Sequence, residues 1–302
     1  MPADAVTNPL TGPTVSGTTY TVDFLLNNPT RVTRVVADLV MANFYLDRIF
    51  ASGGDVQGGA VLYDQATLLD NFTDRDVERI EPGAEAPIVS GVRGAPRTAQ
   101  VEKFGGKFPV TAEARRRNNI SRVNNQMRRL SNTIVRKMHQ RGLAELASAI
   151  VEHGRTAGTI SWTDAMALTG QTTTPALRPA RSLAAASREA DMNELGYTYD
   201  TLLTNPEEAE ALRVVYESEL DEVLADNGVD DFISTPRKAA GSVYLLAGQM
   251  VGELRLEEPM RTTVTPEGAP LLREQDWVQT LVNPVMYVTD PYAILEMTGT
   301  NA

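Results

Sequence analysis

The sequence predicts an α+β protein, on three observations. A stripe of apolar residues at helical spacing runs on from Thr111 to His153. Residues 155–255 alternate helix and strand signals. Residues 252–302 carry strand signals alone, punctuated by Asn-Pro and Asp-Pro pairs.

The long helix is the strongest of these. Ile120, Val123, Met127, Leu130, Ile134 and Met138 recur at three- and four-residue steps, and Leu143, Leu146, Ala147, Ile150 and Val151 extend the apolar face. Thr111 is placed to cap the first turn, Glu113 complements the helix dipole, and Gly154 is a natural stop. At about 1.5 Å per residue a helix of about 43 residues is ~65 Å long. A compact chain of this length has a diameter of roughly 50 Å. The expectation is an elongated or flat subunit whose core is completed by neighbouring copies. Asn118, Asn119, Asn124, Asn125, Asn132 and Gly142 are weak helix formers. Packing must therefore hold the helix, and Gly142 is the point where the single-helix reading is weakest.

The other elements follow in chain order. Residues 1–29, rich in Thr, Pro, Gly and Asn, show no helix pattern and read as an arm that needs a partner surface. Residues 30–52 read as a helix with Val32, Val35, Val36, Leu39, Val40, Phe44 and Leu46 on one face, ended by Gly53-Gly54. Ala60–Tyr63 suggests a short strand. Residues 66–110 hold acids and turn formers, with Val77 and Ile80, then Val101 and Phe104, alternating with charges. That pattern predicts a two-stranded arm, marginal in water without a partner. Lys103–Pro109 leads its returning strand into the long helix.

Beyond the helix, Thr163–Leu168 and Arg181–Leu195 read as helices and Thr201–Thr204 as a strand. Asn205-Pro206-Glu207-Glu208 opens a helix with Asn at the cap and Pro first. Its buried face continues through Leu212, Tyr216, Leu220 and Leu224 to the stop at Asn227-Gly228. Strands are expected at Phe232-Ile233, Val243–Leu246, Leu281-Val282, Val285–Val288 and Ile294–Met297.

Composition narrows the function. The chain has 302 residues, 42% hydrophobic and 22% charged, with no cysteine, so neither a disulfide framework nor a thiolate metal site is available. No apolar run approaches the ~20 residues of a membrane span, and the N-terminus lacks the pattern of a secretory signal. The chain is expected to be cytosolic when made. Its net charge of -11 argues against a general nucleic-acid binder. It suits a surface that faces nucleic acid without adhering to it. Four lysines against 24 arginines favour fixed, bidentate contacts at interfaces.

Two stretches carry a resemblance. One is Val243-Tyr-Leu-Leu-Ala-Gly-Gln-Met-Val-Gly-Glu-Leu-Arg-Leu-Glu-Glu-Pro-Met260. The other is Trp277-Val-Gln-Thr-Leu followed by Val288-Thr-Asp-Pro-Tyr-Ala-Ile-Leu-Glu-Met-Thr-Gly299. Together with the order of elements they resemble the major capsid proteins of tailed phages, especially those of actinobacterial phages, which have the HK97-like fold. The resemblance implies an N-terminal arm at 1–29, a peripheral-domain helix at 30–55 and an extended hairpin loop at 56–108. It further implies a peripheral domain with a long spine helix at 109–155, an axial α/β domain at 156–251 and the strands of a peripheral β-sheet at 252–302. It implies assembly as hexamers and pentamers into an icosahedral shell around double-stranded DNA, held without sequence-specific binding, in the host cytoplasm. Scaffold, portal and decoration proteins are implied partners, no membrane is, and the final location is the virion capsid. A helical scaffold segment ahead of the arm is not found, which implies separate scaffolding or none. Relatives cross-link Lys to Asn. Lys103 and Lys107 lie in or beside the loop but match no such motif.

No catalytic, cofactor or metal site is expected. The histidines, His139 and His153, lack the spacing of a helical zinc pair and read as helix-surface residues. No Walker or dinucleotide glycine motif occurs, and Gly53-Gly54, Gly58-Gly59 and Gly105-Gly106 read as hinges or turns. Glu207-Glu208 and Asp221-Glu222 are placed on a helix's outer face, and Asp290-Pro291 in a turn between strands. The sharpest electrostatic feature is the basic run Arg115, Arg116, Arg117, Arg122, Arg128, Arg129, Arg136, Lys137 and Arg141. It is expected to pair across subunits with the acidic loop through Asp74, Asp76, Glu78, Glu81 and Glu85. The alternatives are a solvated face and contact with DNA. An encapsulin-like nanocompartment shell has the same implied fold, and a soluble α/β enzyme is the rival of another class. That enzyme would need a pocket of convergent polar groups, which the sequence does not provide.

Overall fold

The computed structural model describes residues 14–15, 18–19, 22–68, 73–83, 85–91, 94–167, 175–194, 196–266 and 275–301. In the arm, β1 (Thr14–Val15) pairs with β2 (Thr18–Thr19), and α1 (Val22–Leu26) follows. Next come α2 (Pro29–Met41), α3 (Leu46–Ile49) and β3 (Ala51–Asp55). The loop is rooted by β4 (Ala60–Asp64) and β5 (Pro96–Gln100). Then β6 (Phe104–Thr111) leads through α4 (Ala112–Arg116) to α5 (Ile120–His153). A mixed unit contains β7 (Thr156–Gly158), α6 (Trp162–Ala167), α7 (Pro179–Met192) and β8 (Thr201–Thr204). It continues with α8 (Pro206–Tyr216), α9 (Leu220–Asp226), β9 (Asp231–Ser234) and β10 (Ser242–Leu246). The chain closes with β11 (Gly252–Pro266), β12 (Gln275–Val288) and β13 (Ile294–Thr298).

Two main sheets result. One has the order β3-β11-β12-β6, built on the long antiparallel pair β11-β12 with β3 parallel at one edge and β6 antiparallel at the other. The second has the order β7-β13-β10-β8-β9 and carries α6 to α9. Helix α5 serves both. Val123 and Met127 pack with Val32, Val36, Phe108 and Val278 beside the first sheet. Ile134, Met138, Leu146 and Ile150 pack with Phe50, Leu246, Val288 and Ile294 where the two sheets meet.

The long helix is shorter than predicted, because the predicted single helix is broken near its start. Thr111 does cap a helix, its hydroxyl accepting from Ala114 N–H, but α4 ends after one turn. Asn118 has φ 46°, a left-handed conformation that Asn tolerates better than most residues. Asn119 then recaps the chain for α5, accepting from Arg122 N–H. The break has a use: the Asn118 side chain accepts the Val22 N–H at 2.8 Å and so caps α1. Gly142, the weakest point of the predicted helix, is helical and buried, and Leu46 packs into the space its missing side chain leaves. Gly154 ends the helix at φ 63° as predicted. Val151, assigned to the apolar face, is 81% exposed.

Other predictions also need correction. The arm is not free of helix, since α1 buries Val22, Leu25 and Leu26; most of residues 1–21 lie outside the described set. The single helix over 30–52 is two, and Gly53-Gly54 sits within β3 rather than at a helix stop. Gly105-Gly106 is not a hinge but part of β6. A side chain at Gly105 would lie 2.3 Å from the Thr280 carbonyl oxygen on β12. Val77 and Ile80 form no strand; the pairing is Ala60 with Gln100 through Asp64 with Pro96. The helix opened by Asn205 breaks at Glu217 (φ 47°) and resumes as α9. Leu168 and Leu195, the predicted ends of two helices, lie outside the described residues.

Asn283-Pro284 does not divide two strands but lies inside β12. Proline has no N–H to give a ladder, and here β6 has already stopped pairing at Val282, while β11 is irregular between Leu256 and Glu258. Residues 252–302 are not one sheet. After the turn at Asp290-Pro291, where Asp290 accepts from Tyr292 N–H, β13 crosses to the second sheet and pairs with β10 and β7. Replacing Gly105 by Val should force β6 away from β12 and destabilise the unassembled subunit by about 1–3 kcal/mol. Urea unfolding measures this, and an unchanged midpoint would contradict the packing.

Candidate assembly surfaces

Helix α5 has an apolar face turned to the sheets and a basic face turned to solvent. Arg122, Arg129 and Arg136 are seven residues apart, so they share one side, with Arg128 and Lys137 beside them; all five are exposed. The predicted basic run is nevertheless divided. Arg115 pairs with Asp276 at 2.8 Å, and Arg141 pairs with Glu102 and Glu145, so these two act inside the chain. Among the described residues Arg117, Arg122, Arg128 and Arg129 have no ion-pair partner. Arg116 is exposed.

The loop beyond β4 and β5 is the opposite kind of surface. Described residues from 73 to 91 are almost all exposed, and a single bridge, Thr73 with Gly91, crosses between its two sides. Asp74 accepts from the Ser90 N–H and hydroxyl, and these bonds hold its carboxyl below the usual range. Among the described residues Glu78 reaches only Arg75, at 3.7 Å, and Val77 and Ile88 are 82% and 87% exposed. Apolar side chains left so open on a segment with no core of its own mark a docking surface. Within one chain the structure does not bring Glu78, Glu81 or Glu85 to any spine arginine.

The root of the loop is fixed, by contrast. Arg97 forms a two-pronged pair with Glu152 near the end of α5, which draws the Glu152 carboxyl downward. Arg141 holds Glu102, His153 Nε2 lies 3.3 Å from Gln65 Oε1, and Tyr63 stacks on Tyr287 with centroids 4.5 Å apart. A rigid root with an uncovered tip projects a contact element away from the body. A further uncovered surface is an apolar groove of about 280 Å³ between α2 and β11, lined by Val40, Met41, Phe44, Leu254, Leu256 and Met260.

Two interior groups were misplaced by the sequence reading. His139 is not on the helix surface. It is buried, its ring stacked against Tyr45 at 3.9 Å and Phe44 at 5.4 Å, with Tyr45 N–H donating to Nε2. Glu208 is fully buried rather than on an outer face; its Oε1 accepts from Gly241 N–H at 2.6 Å and from the Thr300 hydroxyl, tying the C-terminus to α8. Its position three residues after the Asn205 cap was a signal for a capping acid, but tertiary partners took the carboxylate. Buried Arg155 was not foreseen; it bridges Ile294 O, Glu189 and the Tyr199 hydroxyl and locks the end of α5 to the second sheet. Among the described residues no cluster of His, Asp and Glu could hold a metal ion, and no helix is long and apolar enough to cross a membrane.

His139 makes stability depend on pH. Burial first, and the Arg237 charge second, lower its pKa from 6.5 to about 4. The unfolded chain takes up this proton near pH 6.5 and the folded chain does not, so stability is complete above that pH and falls as pH drops toward 4. At about 1.4 kcal/mol per pH unit the loss is roughly 3 kcal/mol. The thermal midpoint of the unassembled subunit should decline through this window, and His139→Leu should flatten the decline. An equal slope in the variant would contradict the assignment.

Comparison with known proteins places these surfaces in context. A family model described as "Phage capsid protein" matches residues 94–296. No curated protein matches the chain. Among solved structures, a virus-like particle from Pyrococcus furiosus is similar at TM-score 0.58 and 16% identity, over 89% of this chain and 98% of that one. The capsid of cyanophage P-SCSP1u is similar at 0.58 and 12%, over 86% and 89%. A chain from Mycobacterium phage Adephagia is similar at 0.58 and 11%, over 86% and 89%.

Proposed function

The chain belongs to the phage capsid protein family and is a structural subunit with the α+β HK97-like capsid fold, and from that premise we propose how it builds a shell. Copies assemble as hexamers and pentamers into an icosahedral lattice that encloses double-stranded DNA. The exposed loop, fixed at its root and bare at its tip, is the observation that carries this reading. Docked on a neighbour, it covers Val77 and Ile88, and its Glu78, Glu81 and Glu85 face the spine arginines Arg116, Arg117, Arg122, Arg128 and Arg129, Arg115 being held by Asp276 within the chain. Each exposed ion pair contributes little, under about 1 kcal/mol. Repetition over a closed lattice makes the sum large.

In the proposed division, residues 1–29 are the arm and 30–55 a peripheral helix. Residues 56–108 are the extended loop, 109–155 the spine with its domain, 156–251 the axial unit and 252–302 peripheral strands, with β13 given back to the axial sheet. Net charge -11 keeps DNA enclosed without sequence-specific adhesion. Assembly takes place in the host cytoplasm, with scaffold, portal and decoration proteins as partners. The similarity to a virus-like particle over 98% of that chain favours a second reading, a shell without a genome. Particle contents separate the two.

Electron microscopy of the purified full-length chain should show closed polygonal shells. R128E/R129E, exposed on α5, should leave the fold intact by circular dichroism and reduce shells severely. Shells formed normally by that variant would remove the loop-to-spine pairing, and a wild-type chain that stays monomeric would remove the capsid reading.

A further inference from the structure

A second charged surface lies away from the loop. Three segments converge on a polar pocket of about 460 Å³: Asn132 and Arg136 from α5, Asn43 and Tyr45 from the α2–α3 connection, and Thr235 and Arg237 just past β9. No carboxylate lines it. Arg136 is exposed and Arg237 half-buried, and neither has an ion-pair partner among the described residues. The Nε–H of Arg237 is buried and donates to nothing there. Buried donors of this kind are ordinarily satisfied. The positive potential is also felt nearby, since the Arg237 charge contributes to holding His139 neutral. Two guanidiniums, side-chain amides and a hydroxyl around one space make a receptor for an oxyanion.

The same edge of the second sheet supplies the opposite charge. β9 is the edge strand, α9 leads into it, and the pocket lies past its end. From Glu217 to Asp226 the chain holds Glu217, Glu219, Asp221, Glu222 and Asp226, all exposed, and no lysine or arginine occurs between Arg213 and Arg237. The helix breaks at Glu217, whose φ of 47° is uncommon for a residue with a side chain, before α9 begins. Unlike, complementary faces on one subunit are what a head-to-tail ring of identical copies needs.

We infer that the Arg136–Arg237 pocket is an anion site filled by a carboxylate of the Glu217–Asp226 segment of a second copy. The inference rests on the capsid reading and adds to it a contact, separate from the loop, between the spine–axial junction of one copy and the axial unit of the next. Nucleic acid is the other source of oxyanions, but the net charge of -11 opposes a phosphate polymer.

Charge swapping tests the contact with the full-length chain. R136E/R237E reverses the pocket, E219K/D221K/E222K reverses the segment, and a third variant combines both sets. Each reversal alone should raise the concentration needed for shells by about tenfold or more, read by sedimentation and electron microscopy. The combined variant should restore assembly. R136Q, altered only at an exposed position, should give a smaller loss in the same direction and covers the case in which reversal at Arg237 unfolds the chain. As a direct readout, R136K treated with a carbodiimide should couple to a peptide of the 217–226 segment between isotopically mixed subunits. Normal shells from both single-face reversals, absence of rescue in the folded combined variant, or coupling confined to one chain would overturn the inference. So would pocket variants that form normal shells but retain less DNA, which would assign the site to phosphate. Wild-type shells in the same experiment keep these failures distinct from a failure of the capsid reading.

Discussion

Helix α5 packs one face against two sheets at once, and the remaining structure is arranged around that constraint. Its first half shares a core with α1, α2 and the β6–β12 edge, and its second half fills the space where the two sheets approach. A helix of 34 residues is about 51 Å long. Such a rod spans the full diameter, roughly 50 Å, of a compact chain of this length, and here the sheets lie along its apolar stripe while the opposite face stays wet. The arginines on that wet face follow from the geometry: they keep the rod soluble and leave a charged strip available to a neighbour.

The ends of the rod set the position of everything that projects from the body. At its N-terminus Asn118 breaks the helix and caps α1, which fastens the arm. At its C-terminus Arg155 joins α5 to the second sheet, while Glu152 and His153 receive the loop root through Arg97 and Gln65. Side chains with fixed, bidentate geometry serve these joints better than flexible ammonium groups would. Polar contacts thus stiffen the places where apolar packing runs out, and the bare loop tip begins only beyond them.

Much of this could be read from the sequence, and the failures have local causes. The stripe Val123–Met138, the cap at Asn205 and the stop at Gly154 follow from periodicity and backbone chemistry alone. Gly142 read as the weak point because propensity does not see Leu46 filling its space from another element. His139 and Glu208 misled because spacing on a helix says which face a residue occupies but not what covers that face. β13 was assigned to the wrong sheet because strand signals carry no information on partners. The charge classes on the spine and loop were legible, but the division of the arginines between internal pairs and free positions was not. Asp276 and Glu102 reach theirs through tertiary folding, whereas Glu145 meets Arg141 one turn along the same helix.

The central claim is that the subunit holds surfaces finished only by its siblings. Hydrogen–deuterium exchange on the same chain, dilute and assembled, tests it most directly. The account predicts that amides of residues 73–91, exchanging freely in the dilute subunit, become protected in shells while the β11–β12 core changes little. Equal, rapid exchange of that segment in both states would contradict it.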